Sequence, residues 1–231
     1  MDNLMMLHGA LGSVEQLEPI GRALSMDYKV HTMNFGGHGG AAMPERFSIA
    51  YFAGQVLEYL NVNRIESVVI FGYSMGGYVG LYLARHHPER IQRVITLGTK
   101  FLWTPEIAAK EVRMLDANKI AEKVPAFARA LELRHSPNDW KVVVEKTAAM
   151  MMGMGERNPL SLEDYKVIDR AVVIAVGDRD MMVGLEETIA VYKEIKKAEL
   201  VVLPRMGHAI EELDLQLFSL MIDKKGDLAR Q

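Results

Sequence analysis

The stretch Val68-Val69-Ile70-Phe71-Gly72-Tyr73-Ser74-Met75-Gly76-Gly77 decides how the rest of this sequence is interpreted. Its first four residues are apolar and mostly β-branched, which indicates a buried strand of a parallel sheet. A Gly-x-Ser-x-Gly pattern follows at once, and residues 77–85 suit a helix. A strand that turns into a helix through one residue strains that residue and holds its side chain above the sheet. Ser74 is therefore predicted to be an exposed nucleophile at a helix N-terminus.

Small residues around Ser74 support this interpretation. Gly72 and Gly76 flank it, where a Cβ would clash between the strand and the helix. Gly76, Gly80 and Ala84 recur every four residues, so one face of the predicted helix is small enough to lie close on the sheet.

Composition limits the classes of protein to consider. The chain has 231 residues, of which 49% are apolar and 25% charged, as in one globular domain. The net charge of −3 argues against a nucleic-acid partner. No apolar run has the length that a bilayer needs and no basic leader precedes the first strand, so we expect no membrane partner and a cytoplasmic location. The absence of cysteine excludes disulfides, thiolate metal sites and a cysteine nucleophile.

Predicted strands and helices alternate along the chain. The strands are expected at residues 4–7, 28–33, 68–71, 93–97, 171–176 and 200–203, and the other helices at 14–26, 47–60, 186–197 and 211–222. This order predicts an α/β fold with a doubly wound, mostly parallel sheet of about six strands. Residues 101–165 show helical periodicity broken by prolines, which predicts a helical cap inserted after the fourth strand. The core would then comprise residues 1–100 and 166–231, with a frayed tail from Lys224.

A serine hydroxyl needs a base that removes its proton, and the chain offers seven histidines. His208 follows the last predicted strand, at the carboxyl edge of the sheet where reactive groups gather in open parallel sheets. Five of the others lie at the far end of the helix after Ser74, inside the insertion, or in glycine-rich turns that favour a structural role: His86, His87, His135, His8 and His38. We predict His208 as the base.

The acid that orients this base is predicted among residues 177–180, which follow the fifth strand. Asp178, next to a glycine, suits a role in bracing the turn through its own backbone. Asp180 lies further out, where it can face the loop of His208, and is our choice. The resulting order Ser, Asp, His is one of the known orders for this triad.

Two backbone amides are needed to stabilise a tetrahedral oxyanion. Met75, at the helix N-terminus after Ser74, supplies one candidate. The turn His8-Gly9-Ala10 follows the first strand, and the amide of Ala10 is the second candidate if the first strand neighbours the one before Ser74.

A competing motif, Gly37-x-Gly39-x-x-Ala42, formally matches a dinucleotide-binding turn. It does not open a helix directly, because Pro44 would stand in the first turns, and no suitably spaced acidic residue follows for a ribose. No His or Asp pair outside the triad loops has the helical spacing of metal ligands. We therefore expect no cofactor and no metal.

These motifs together resemble the α/β-hydrolase superfamily over nearly the whole chain, most closely its small-cap esterase, enol-lactonase and carboxylesterase group. The resemblance rests on residues 8–9, 72–77, 177–180 and 207–208. It implies a nucleophile at Ser74, an acid at Asp180, a base at His208, oxyanion amides at Ala10 and Met75, and a lid formed by residues 101–165. A serine at this position departs from the dehalogenase and epoxide-hydrolase branches, which use aspartate. The β-hairpin that usually precedes the His-Gly strand is expected to be missing.

The function favoured by these residues is hydrolysis of a small ester, lactone or thioester through an acyl-enzyme. Bulky apolar residues of the insertion predict a largely apolar substrate, with four candidates for the pocket: Trp103, Phe127, Trp140 and Met151. Two alternatives remain open, a ligand-binding receptor that retains the triad with little turnover, and a C–C-bond hydrolase or lyase. We expect a small-molecule partner and a monomer or homodimer.

Overall fold

The computed structural model of the chain describes residues 1–222. Among them, six strands form one sheet in which every neighbouring pair is parallel, which confirms the predicted fold class. The strands are β1 (Asp2–Leu7), β2 (Tyr28–Thr32), β3 (Val68–Tyr73), β4 (Ile91–Leu97), β5 (Ala171–Gly177) and β6 (Ala198–Leu203).

The order of the strands in space determines where a ligand can bind. It is β2-β1-β3-β4-β5-β6, so the direction of winding reverses between β1 and β3. Open parallel sheets bind ligands at such a reversal, beyond the carboxyl ends of the strands. Leu7 pairs with Gly72, and Tyr73 pairs with Leu97, so β1, β3 and β4 end at the same level. The turns after these strands therefore open onto one edge of the sheet.

Helices cover the sheet and fill the insertion. They are α1 (Glu18–Leu24), α2 (Ile49–Val62), α3 (Met75–His86), α4 (Pro105–Glu111), α5 (Ala117–Lys123), α6 (Pro125–His135), α7 (Trp140–Glu156), α8 (Leu162–Lys166), α9 (Leu185–Glu194) and α10 (Leu215–Ile222). The helices α4 to α8 lie between β4 and β5, where the sequence predicted an insertion. We call residues 101–165 the cap; its predicted end falls within α8.

Alternating side chains of β1 show how the two faces of the sheet are packed. Leu4 and Met6 belong to one buried apolar cluster, and Met5 and Leu7 to another. The cluster of Met5 continues into the cap, where it includes Trp103, so the cap and the core share one apolar interior.

Two predicted helices begin in the structure with a 3₁₀ turn instead of an α-helical one. Residues 14–17 and 210–212 form 3₁₀ turns that precede α1 and α10. The carboxylate of Asp214 accepts hydrogen bonds from two amides of the first turn of α10 and so starts that helix, because the first N–H groups of a helix have no internal partner. The tail predicted to fray from Lys224 lies outside the described residues.

Within residues 1–222, no helix is both long enough and apolar enough to cross a membrane.

Candidate active site

Ser74 occupies a strained turn between β3 and α3. Its φ of 50° and ψ of −115° lie in a region that L-residues rarely adopt. A Cβ on Gly72 would collide with the backbone of Gly76, and one on Gly76 would collide with the carbonyl of Leu7. Both glycines are therefore required by the close approach of β1, β3 and α3. The amide of Ser74 donates to the carbonyl of Leu97 at 2.8 Å, which ties the turn to the end of β4.

His208 and Asp180 are in direct contact on neighbouring turns. The distance from Nδ1 of His208 to Oδ2 of Asp180 is 2.8 Å, and the carboxylate is fully buried. Oδ1 of Asp180 accepts from the amides of Met182 and Val183, which hold the carboxylate in place. A bond from Nδ1–H to a carboxylate leaves Nε2 of His208 as the free acceptor.

The ionised form of Asp180 is stabilised in this position. Burial alone raises the pKa of its carboxyl, but the hydrogen bond and charge of His208, together with the amides of Val183 and Met182, outweigh it, so the net pKa is lowered. The group is therefore an acceptor at neutral pH, as an orienting carboxylate must be.

Asp178 contacts the same two loops without reaching the imidazole. Its Oδ1 accepts from the amide of Met206 at 3.2 Å, and its own amide donates to the carbonyl of Leu203. Asp178 therefore ties the turn after β5 to the loop that carries His208, whereas the sequence predicted a brace within its own turn.

The turns after β1 and β3 lie against each other, as the predicted oxyanion site requires. A Cβ on Gly9 would approach the Cβ of Ser74 to 3.2 Å. Ala10 and Met75 border the same cavity as Ser74. Among the hydrogen bonds of the described residues, neither of their amides has an acceptor. Two free donors therefore adjoin the hydroxyl of Ser74.

Two cavities meet at this edge, of about 50 Å³ and about 280 Å³. Six residues border both: Ala10, Ser74, Glu111, Met151, Met182 and His208. Of the predicted pocket residues, Met151 lines both cavities, Trp103 the smaller and Phe127 the larger. Trp140, at the start of α7, lines neither cavity, although it belongs to the same buried apolar cluster as Trp103.

Residues that sequence reasoning missed also contribute to the site. Gly98 has a φ of 58° and lies where a Cβ would come within 3.4 Å of both Asp180 and His208. Lys100 and Glu111 line the smaller cavity as its charged wall. A glycine directly after β4 was a visible signal, whereas nothing in the spacing of Lys100 and Glu111 indicated that they meet.

The glycine-rich turns hold a buried group of histidines. His8 donates from Nδ1 to the carbonyl of Gly9 and accepts at Nε2 from the amide of Phe35. The ring of His38 lies between those of His8 and His135, at 5.2 and 5.6 Å, and His135 accepts from the amide of Gly39. This group joins two core turns to α6 of the cap.

Burial dominates the ionisation of these histidines. Removal from water lowers the pKa of His8 to about 4, despite its bond to Gly9, and it likewise lowers the pKa of His135 to about 4. The pKa of His38 is also well below its ordinary value, first because of burial and then because of His8. All three are neutral at pH 7.

A doubly wound parallel sheet, a serine on a strained strand-to-helix turn, and a histidine–carboxylate pair on the next turns define the α/β-hydrolase class. The chain belongs to this family: the family model described as the alpha/beta hydrolase fold matches residues 2–213.

Individual relatives agree with this assignment. A pimeloyl-[acyl-carrier protein] methyl ester esterase of Vibrio cholerae is 26% identical over 172 residues, which are 74% of this chain and 60% of that enzyme. The matches to the first curated relatives span between 33% and 60% of their lengths.

Solved structures share the fold. An esterase from Thermogutta terrifontis superposes with a TM-score of 0.77 at 20% identity, over 96% of this chain and 88% of that one. The enol-lactonase from Burkholderia xenovorans LB400 superposes with a TM-score of 0.75, also at 20% identity, over 96% of this chain and 89% of that one.

Proposed function

We propose that the protein is a serine hydrolase that cleaves a small, largely apolar ester, lactone or thioester through an acyl-enzyme on Ser74. The observation that carries the proposal is the convergence of three kinds of group on one cavity. These are a serine held out on a strained turn, a histidine oriented by a buried carboxylate, and two backbone amides without acceptors.

Acylation in this proposal uses the free nitrogen of His208. Nε2 takes the proton of the Ser74 hydroxyl while Oγ forms a bond to the substrate carbonyl carbon, and Asp180 stabilises the imidazolium. The oxyanion accepts hydrogen bonds from the amides of Ala10 and Met75. Collapse of the intermediate breaks the ester bond, and Nε2–H returns the proton to the leaving alcohol.

Deacylation repeats these steps with water. His208 removes a proton from water, the oxygen attacks the acyl carbon, and Ser74 leaves with the proton from the imidazolium. The products are a carboxylic acid and the free enzyme, so no redox partner or cofactor is needed.

The hydrophobic lining of the smaller cavity supports an apolar substrate. Most of the smaller cavity is formed by hydrophobic side chains, to which α7 of the cap contributes Met150, Met151 and Met154. Methionine side chains adapt to varied apolar shapes. We therefore propose that residues 101–165 act as the lid and set the size of the acyl group. The ester named for the Vibrio relative is consistent with this substrate class.

The test is a panel of chromogenic esters of graded acyl length, assayed with the wild type and with Ser74→Ala. We expect turnover by the wild type and a loss of several orders of magnitude in the variant, without a change in thermal stability beyond a few degrees. Ligand binding without turnover by the wild type would favour the receptor alternative. Equal turnover by both proteins would contradict the proposal.

A further inference from the structure

The wall of the smaller cavity contains a charged cluster that the proposed reaction does not use. Lys100, just after β4, and Glu111, at the end of α4, both line the cavity beside Ser74 and His208. Their side chains are only 17% and 14% exposed. Charges are costly in such surroundings unless they are paired or bind a ligand.

The ammonium of Lys100 is largely committed to the core. It donates to the carbonyl of Met182 at 2.9 Å and to Oε1 of Glu187 at 3.3 Å. Its contact with Glu111 is longer, with 3.6 Å between Nζ and Oε1. This distance exceeds that of a hydrogen bond, so the pair is an ion pair only.

The two carboxylates around Lys100 differ in how their acceptors are used. Glu187 also accepts from the amides of Phe101, Leu102 and Gly184, at 2.9 to 3.2 Å. Its four acceptor positions are therefore occupied. Among the described residues, the only polar contact of the Glu111 side chain is this loose ion pair with Lys100. It keeps unused acceptors in a cavity that is otherwise mostly apolar.

We propose that Glu111 determines specificity by accepting a hydrogen bond from a donor on the substrate, a hydroxyl or an amide N–H. The inference rests on the proposed serine-hydrolase function and narrows its substrate class. A few polar groups in an apolar pocket ordinarily set the orientation of the ligand. A carboxylate without a hydrogen-bond donor attracts donors and repels anions, so esters that carry a second carboxylate are disfavoured.

A cation beside the site, Arg134, could favour the opposite preference. Arg134 of α6 lines the larger cavity, where it donates to the carbonyl of Leu11 at 2.9 Å. Glu111 borders that cavity as well. In the smaller cavity the charge of Lys100 is offset by two carboxylates, those of Glu111 and Glu187. A substrate anion would therefore meet an excess of negative charge there, and the donor preference prevails.

The experiment compares three series of methyl esters with acyl chains of matched length, ending in a methyl group, a hydroxyl or a carboxylate. The measured quantity is kcat/KM for the hydroxylated ester divided by that for the alkyl ester. It is taken at the acyl-chain length at which each protein is most active. We expect Glu111→Gln to lower this ratio about fivefold, because the amide oxygen still accepts a hydrogen bond but lacks the charge that strengthens it. The matched control is Glu122→Gln, which removes an exposed carboxylate of the cap. Its ratio should equal that of the wild type.

The wild type provides a second measurement that does not depend on a variant folding. It should cleave the hydroxylated ester faster than the alkyl ester, and the carboxylated ester most slowly. A ratio that is the same in the wild type and Glu111→Gln, or a preference of the wild type for the carboxylated series, would overturn the inference. Normal hydrolysis of the alkyl series would in that case leave the proposed function intact. If no ester in any series were cleaved, the proposed function and this inference would fail together.

Discussion

At the carboxyl edge of the sheet, backbone geometry fixes the candidate catalytic groups, whereas in the cap the groups around the cavities are fixed mainly by side-chain contacts. Ser74 is held by its strained φ and by glycines that allow three elements to meet. Asp180 is held by two backbone amides. The cap instead joins the core through pairs such as Arg85 with Asp164, at 3.0 Å, and the histidines between α6 and the glycine-rich turns.

A second junction between cap and core also depends on side-chain hydrogen bonds. The hydroxyl of Tyr78, on α3, hydrogen-bonds to Asn158 and accepts from the amide of Leu160, near the end of the cap. Asn158 in turn donates to the carbonyl of Phe101, where the cap begins. Such contacts can change one residue at a time without disturbing the turns that carry Ser74, Asp180 and His208. We therefore propose that the core edge performs the chemistry and that the cap selects the substrate.

The largest effect is expected on catalytic rate, and it should distinguish the two neighbouring carboxylates at the core edge, Asp180 and Asp178. Asp180→Asn should lower kcat/KM by up to about ten-thousand-fold, because the amide no longer holds His208 in the required tautomer. Asp178→Asn retains an acceptor for the amide of Met206 and should change the rate little, with a modest loss of stability. Steady-state kinetics and thermal denaturation of the two purified variants provide the check. The opposite ranking of the rates would show that Asp178 is the orienting acid.

A smaller effect is expected on the pH dependence of stability, and it comes from the histidines between core and cap. Their pKa values are lowered in the folded state, to about 4 for His8 and His135, from about 6.5 in the unfolded chain. Between these pH values the unfolded state binds more protons, so the free energy of unfolding decreases as pH falls from about 6.5 to about 4. Each such histidine contributes up to roughly 3 kcal/mol to this decrease in the free energy of unfolding.

Denaturant titrations at pH 7, 5.5 and 4.5 test this dependence. His135→Gln should flatten it, because glutamine offers an acceptor to the amide of Gly39 but takes up no proton. His87→Gln, directly after α3, is the control outside this buried group and should flatten the dependence less than His135→Gln does. A stability that does not vary over this range would contradict the assignment of neutral buried histidines.

The sequence predicted the groups at the core edge better than those contributed by the cap. Ser74 and its glycines were predictable because the close approach of a strand and a helix permits few residues. Trp103 and Trp140 looked alike in the sequence and are buried in the same apolar cluster, yet only Trp103 lines the smaller cavity. Lys100 and Glu111 meet only through the tertiary packing of α4, which no local pattern encodes.

The smallest expected effect is a shift in acyl-chain preference. Each methylene buried in a matching pocket contributes about 0.8 kcal/mol, or roughly a fourfold gain in kcat/KM, until the pocket is full. Trp103→Ala should enlarge the smaller cavity and move the optimum to longer acyl chains. Profiles of kcat/KM against acyl length give the comparison, with Trp103→Leu as a milder variant should alanine destabilise the fold.

Trp140→Ala is the matched control for this shift. It should reduce stability by about 3 to 5 kcal/mol, the usual cost of truncating a buried aromatic residue, without moving the optimum. Profiles for Trp103→Ala that keep the wild-type optimum would mean that Trp103 contributes only to packing in the cap.

The most direct test of the central claim, that Ser74 is the nucleophile of a serine hydrolase, is covalent labelling followed by peptide mass spectrometry. A fluorophosphonate forms a bond to an activated serine oxygen and releases fluoride, so we expect one adduct per chain, on Ser74. The adduct should be absent from Ser74→Ala and should form much more slowly in Asp180→Asn, because the base is then misoriented. An adduct on another residue, or equal labelling of Ser74→Ala, would contradict the account.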